Sequence, residues 1–109
     1  MTTRFRTFAE FWPFYLREHS RPATRALHYV GTSLLAVIAL AALLTGRMAL
    51  FAALPVAGYG LAWLAHFAVE RNRPATFTHP LWSLAAEIRM WALWLTGRLG
   101  PELRRAGVA

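Results

Sequence analysis

Between Arg25 and Glu70 the chain carries one charged side chain, Arg47, which divides a long apolar stretch into two spans, residues 26–46 and 48–69. At about 1.5 Å rise per residue each span is about 30 Å long as a helix, enough to cross a hydrocarbon core. The turn at Thr45-Gly46-Arg47 is too short for anything but an antiparallel return. The pattern therefore predicts a transmembrane helical hairpin. Pro55, Gly58 and Gly60 in the second span are read as small-residue packing between its two helices.

The flanks follow a different pattern. Residues 4–18 are rich in aromatics (Phe5, Phe8, Phe11, Trp12, Phe14, Tyr15) but also carry Arg6, Glu10 and Arg17. That segment is too short and too charged to span, and it reads as an interfacial helix that Pro13 should kink or interrupt. Thr24 is placed to cap the first span. A last helix is expected over residues 81–99, stopped by Gly100-Pro101. Glu87 and Arg89 near its middle stand two residues apart, so they point about 200° away from each other and cannot share an inward face. An interfacial or bundle-packed helix is the expectation for 81–99, with a third membrane span as the alternative. The fold class is thus all-α: a small integral membrane bundle, one domain over residues 1–109, in which an antiparallel transmembrane hairpin is flanked by an N-terminal interfacial helix and a C-terminal helix.

Composition strengthens the membrane reading. Hydrophobic residues make up 57% of 109 residues, and so short a chain leaves a large share of any fold facing its solvent. Lipid resolves that conflict; the alternative is a soluble helical protein that buries the hairpin in a homo-oligomer. The first span begins too late for a secretory signal, so the chain is expected to be membrane-resident as it stands. The net charge is +7, and all twelve basic residues are arginine. In a soluble protein that would suggest nucleic acid. Here Arg4, Arg6, Arg17, Arg21, Arg25, Arg71 and Arg73 flank one end of the hairpin while Arg47 stands alone at the other. The positive-inside tendency makes the arginine-rich end cytoplasmic, where it can meet anionic headgroups or an acidic substrate. No nucleic-acid partner is expected.

The same end collects the chain's four histidines. His28 precedes Gly46 by 18 residues and His66 follows it by 20, so both rings return to one depth; His19 precedes the first span and His79 follows the second. Imidazole is the commonest metal ligand, and iron, zinc, copper and nickel all accept it. His28 and His66 also lie inside the ends of apolar helices, where an unpaired polar ring is costly. His19, His28, His66 and His79 are therefore the candidate metal ligands. Glu18 adjoins His19, and Glu70 lies four residues beyond His66 on the same helical face; each is a candidate alternative ligand or an acceptor that orients a ligand ring. Each could equally pair with Arg21, Arg71 or Arg73. Glu87 reads as a packing or interfacial charge.

Absences narrow the chemistry. Without cysteine there is no thiolate nucleophile, iron–sulfur cluster or zinc ribbon, so any metal must be held by nitrogen and oxygen. Asp is missing too, leaving Glu as the only carboxylate for an iron site. No Gly-rich phosphate loop, GxGxxG or Gly-x-Ser-x-Gly elbow occurs. A redox reaction would have to run without bound nicotinamide or flavin, on electrons supplied by the substrate. No catalytic residue beyond the metal site stands out.

Two stretches carry a resemblance. The run Phe11-Trp12-Pro13-Phe14-Tyr15-Leu16-Arg17-Glu18-His19, followed by Pro22, Arg25, His28 and Gly31-Thr32, is similar to the N-terminal signature of a small bacterial membrane family. Its second signature resembles Gly58-Tyr59-Gly60, Trp63, His66-Phe67, Glu70, Asn72-Arg73-Pro74-Ala75-Thr76 and Pro80-Leu81-Trp82-Ser83-Leu84. These are the Mpo-like proteins, named for the metabolism of phytosphingosine to odd-numbered fatty acids. The resemblance implies a multi-pass protein of the bacterial inner membrane that uses Fe(II) and O2 to shorten a 2-hydroxy fatty acid, or a related lipid, by one carbon. It implies His19, His28 and His66 as the best ligands, with His79 less secure, and offers Arg25 or Arg73 to neutralise the substrate carboxylate. Two alternatives stay open: a non-catalytic membrane protein that binds lipid headgroups or a partner, and a histidine–zinc hydrolytic site.

Overall fold

The computed structural model describes residues 5–108, so Arg4 lies outside them. Among the described residues the chain is all-helical: α1 (Phe8–Arg17), α2 (Pro22–Thr45), α3 (Ala53–Leu64), α4 (Pro80–Leu95) and α5 (Leu99–Arg105). Short 3-10 turns, Met48–Ala52 and Ala75–Phe77, precede α3 and α4. A π-helical turn, Ala65–Glu70, extends α3.

The hairpin consists of α2 and the return from Met48 to Glu70, both long and apolar enough to cross a membrane. α2 ends at Gly46, whose φ of 71° gives the left-handed residue a helix needs to stop. Its start lies earlier than Thr24: Pro22 occupies the first turn, where its missing N–H is not needed, and Arg21 is the capping position. Thr24 sits inside the helix instead, fully buried, with no partner for its hydroxyl. Pro55 falls in the first turn of α3 for the same reason that Pro22 opens α2. The two helices pack through glycine. A Cβ on Gly31 would lie 3.5 Å from Leu61 Cβ, and one on Gly58 would lie 3.3 Å from both methyls of Leu35, whereas Gly60 faces nothing within 4 Å.

Little of the hairpin is covered: 22% of the apolar window of α2 and 17% of that of the return are buried, the opposite of a core helix in a soluble protein. Val37, Leu43, Leu44 and Val56 are each more than 60% exposed.

The core lies elsewhere, at the end of the hairpin where the chain enters and leaves it. α1 runs on through Pro13 without interruption, capped by Thr7 Oγ1, which accepts the Glu10 N–H at 3.2 Å. It turns Phe11, Trp12, Tyr15 and Leu16 against Ala86 and Met90 of α4 and Leu99 of α5. The last helical region is two helices rather than one. Gly97 adopts φ 71°, the Gly97 N–H donates to Trp94 O and the Arg98 N–H to Leu93 O, a Schellman stop that closes α4. Gly100 and Pro101 then fall in the first turn of α5, where a proline is tolerated. α4 meets α2 near Tyr29 and Ser33: Trp94 stacks on Tyr29 at 4.3 Å and Trp91 Nε1 donates to Ser33 Oγ at 3.0 Å. Glu87 and Arg89 do point apart. Glu87 faces α2, while the Arg89 guanidinium lies 4.7 Å over the Trp12 ring and pairs with Glu102 at 3.5 Å.

Candidate metal centre

Three helix ends bring three imidazoles together. His19 follows α1, His28 sits two turns into α2, and His66 lies in the π-helical turn. Ring centroids are 4.4 Å apart for His19–His28, 4.4 Å for His19–His66 and 5.1 Å for His28–His66, with planes 78–79° apart. One ring nitrogen from each lies within 4.8 Å of the others. All three rings are buried.

Each Nδ1 is engaged with an acceptor, and each acceptor is of a different kind. The His19 Nδ1–H donates to the Tyr15 carbonyl at 2.6 Å, the His28 Nδ1–H to Glu87 Oε1 at 3.1 Å, and the His66 Nδ1–H to Asn72 Oδ1 at 2.7 Å. The Asn72 amide is oriented by its other end, since Nδ2 donates to the Glu18 carbonyl at 3.0 Å. A carbonyl, a carboxylate and an amide oxygen accept these bonds, so each ring carries a proton on Nδ1 and leaves Nε2 as the atom that can face a metal. The Nε2 atoms of His19 and His28 are buried and have no hydrogen-bond partner. A buried polar atom without a partner costs about 1–3 kcal/mol, and two side by side need a reason. A cation facing three lone pairs supplies one, and ligand histidines characteristically donate their other ring N–H in this way. Burial, reinforced by its two imidazole neighbours, keeps the His19 ring neutral by holding its pKa well below the usual histidine range.

The backbone around His66 serves the same end. Arg71 takes φ 61°, an uncommon conformation for a side-chain-bearing residue, and it reverses the chain so that the Asn72 N–H reaches His66 O at 2.9 Å. π-helical turns are often found at functional sites. Asn72 thus grips His66 by both backbone and ring.

The other candidates lie around the centre. His79 stands at the start of α4, its ring stacked with Trp82 at 5.8 Å and its Nδ1 2.8 Å from Thr78 Oγ1; it reaches the cluster through Phe11 and Tyr15. The Glu70 carboxylate accepts from Ser20 Oγ and from the Arg21 N–H, tying the start of α2 to the end of the return span. Glu18 is half-buried, and that burial, together with the like charge of Glu70, raises its carboxyl pKa above the usual carboxylate range. Neither carboxylate belongs to the three-residue cluster. Arg25 spends Nη1 on the carbonyls of His19 and Ser20, at 2.8 and 2.9 Å. Arg73 is exposed, its guanidinium 5.4 Å over the Phe77 ring. Glu87 and Asn72 are the residues that site reasoning from sequence passed over. For Glu87 the available signal was a carboxylate inside an apolar helix, which in a membrane protein marks a functional position more often than a packing one.

Three imidazoles without sulfur suit a first-row divalent metal and leave coordination positions free for other ligands. The architecture is that of a helical protein with a buried histidine-rich centre beside an apolar hairpin. The chain belongs to the Mpo1-like family, described as 2-hydroxy-palmitic acid dioxygenase Mpo1-like, whose model matches residues 5–99. No curated protein and no solved structure matches it.

Proposed function

We propose that the protein is a membrane-resident Fe(II) dioxygenase that shortens a 2-hydroxy fatty acid by one carbon, with His19, His28 and His66 as the metal ligands. The observation that carries the reading is the convergence of these three buried rings, each with its Nδ1 engaged by an acceptor and one ring nitrogen from each within 4.8 Å of the others. The family description supplies the substrate class.

The chemistry is self-contained. A 2-hydroxy acid and O2 give the next shorter acid, CO2 and water; the substrate loses four electrons and O2 gains them, so no external reductant enters. His19, His28 and His66 would hold the iron, which would supply the Lewis-acid and redox chemistry that the reaction needs. The chain's own residues fix the ligand rings through Tyr15, Glu87 and Asn72, and they exclude water from the cluster by burying it. The scarcity of buried surface on the hairpin supports placing it in a bilayer. The arginines around the histidine end support a cytoplasmic orientation in the bacterial inner membrane, where they would also draw an anionic substrate. Arg73, with its guanidinium at the surface, is the better placed of the two arginine candidates to receive a carboxylate, because Arg25 already holds two carbonyls.

The test is direct. Protein purified in lipid nanodiscs and loaded anaerobically with Fe(II) is mixed with 2-hydroxypalmitate and O2. Stoichiometric consumption of O2 with release of CO2 and the acid one carbon shorter is expected. Tight metal binding with neither O2 uptake nor product would overturn the dioxygenase assignment, and hydrolysis of an ester by the zinc form would favour the hydrolytic alternative.

A further inference from the structure

Beside the histidine centre runs a groove of about 490 Å³, within the size range of small-molecule sites. α2 is its floor, through Thr32, Leu35, Ala36 and Ala39; α3 and α4 are its walls. Those walls make no packed interface with each other, so the groove is open along the side away from α2. Tyr59, Leu84 and Ile88 stand on the open rim with 43–51% of their surface exposed.

The lining is apolar apart from one end. There the groove meets Thr32 and Glu87, its only carboxylate, and Glu87 Oε1 is the atom that accepts from both Thr32 Oγ1 and the His28 ring. The indole N–H of Trp91, also in the lining, is already spent on Ser33. The polar end of the groove thus lies one hydrogen bond from the His28 ring, through Glu87, and its side is open to the hairpin's apolar surroundings. From Thr32 to Ala39 it follows α2 for about 10 Å, roughly a third of a hydrocarbon core.

We propose that this groove seats the head-proximal part of a single acyl chain, with the polar head at the three-histidine centre and the tail leaving sideways past Tyr59 and Ile88 into lipid. The position of the head rests on the metal-centre reading above. Ala36 and Ala39 are then specificity-determining positions. Their small side chains leave room for the first methylenes, and no wall encloses the far end of a long chain. The enzyme should discriminate against bulk close to the head while tolerating differences in chain length.

Two photoreactive probes test this on Fe(II)-loaded protein in nanodiscs under anaerobic conditions: 2-hydroxypalmitate bearing a diazirine a few carbons from the head, and the same acid bearing it at the chain terminus. The first should label peptides containing Ala36 or Ile88, and the second should label lipid and spare the groove. Ala36→Phe should cut head-proximal labelling about tenfold or more, whereas Val37→Phe, on the adjacent outward face of α2, should leave it unchanged. Metal content and helical circular dichroism report whether each variant is folded; if Ala36→Phe loses either, Ala39→Leu takes its place with the same expectation. Labelling that falls elsewhere, that is absent, or that persists in the folded, metal-loaded filling variant overturns the groove. Groove labelling by a protein that consumes no O2 supports the acyl site and overturns the dioxygenase reading instead. O2 consumption with labelling outside the groove does the reverse.

Discussion

The His28 Nδ1–H donates to Glu87 Oε1 at 3.1 Å, joining residues 59 apart in sequence and fixing α4 against α2 at the histidine cluster. The same carboxylate lines the apolar groove. One acid therefore orients the His28 ring and marks the boundary between the histidine cluster and the apolar space.

Removing that acid should weaken metal binding without unfolding the bundle. Glu87→Ala leaves the His28 ring free to rotate and to exchange tautomers, and losses of this kind typically cost 10–100-fold in affinity. Glu87→Gln keeps an acceptor oxygen but loses the charge, so an intermediate loss is expected. Competition against a chelator in detergent-purified protein measures both. Equal affinity in wild type and Glu87→Ala would refute the positioning role.

Asn72 makes a parallel case on the opposite side of the centre. Its amide bridges the His66 ring and the Glu18 carbonyl, so Asn72→Ala releases a ligand and loosens the joint between α1 and the return span together. A 10–100-fold fall in metal affinity is expected. Asn72→Asp retains the acceptor for His66 and lacks the donor for Glu18, and it should lose less. If the Asp and Ala variants bind metal equally poorly, the Glu18 contact rather than the ring contact dominates. Titration with Fe(II) under nitrogen separates these outcomes.

Glycine at the hairpin interface gives a stability prediction with two directions. A methyl at Gly31 meets Leu61 Cβ at 3.5 Å, an ordinary contact, so Gly31→Ala should be neutral or gain up to about 1 kcal/mol from helix propensity. Gly31→Leu must push α3 away from α2 and should cost roughly 1–3 kcal/mol. Because Gly31 is one turn from His28, the larger substitution should also reduce metal content. Thermal unfolding of the metal-free variants in one detergent tests the order.

The hairpin was legible in the sequence because its signal is local: two apolar runs, one turn and a glycine at the turn. Counting residues on either side of Gly46 brought His28 and His66 to one end; His19 and His79 were placed there only because they lie outside the two spans, and of these His19 joins the cluster. What the sequence hid depends on long-range packing. Glu87 looked like a charge to be tolerated, since nothing local says that α4 turns it toward α2. Gly100-Pro101 looked like a stop because both residues break helices, yet Gly97 ends α4 three residues earlier and Pro101 is harmless in a first turn. Thr24 looked like a cap because Pro22, which opens the helix before it, reads equally well as loop. His79 was placed with the cluster by chain position alone, whereas its ring packs with Phe11 and Trp82 instead.

His79 also yields the sharpest test of how many histidines bind. Its ring is an aromatic neighbour of Phe5, Phe11 and Trp82, and its Nδ1 is turned to Thr78. His79→Phe preserves that stacking and should keep the metal content of the wild type. His19→Phe, His28→Phe and His66→Phe each remove one of three converging lone pairs and should each reduce bound metal at least about tenfold. Helical circular dichroism guards against misfolding, and His28→Gln supplies a smaller polar replacement should the Phe variants fail to fold. Metal analysis after desalting reads the result. A loss in His79→Phe as large as that in His28→Phe would mean that a fourth imidazole swings into the centre when metal arrives, and the three-ligand arrangement would have to be abandoned.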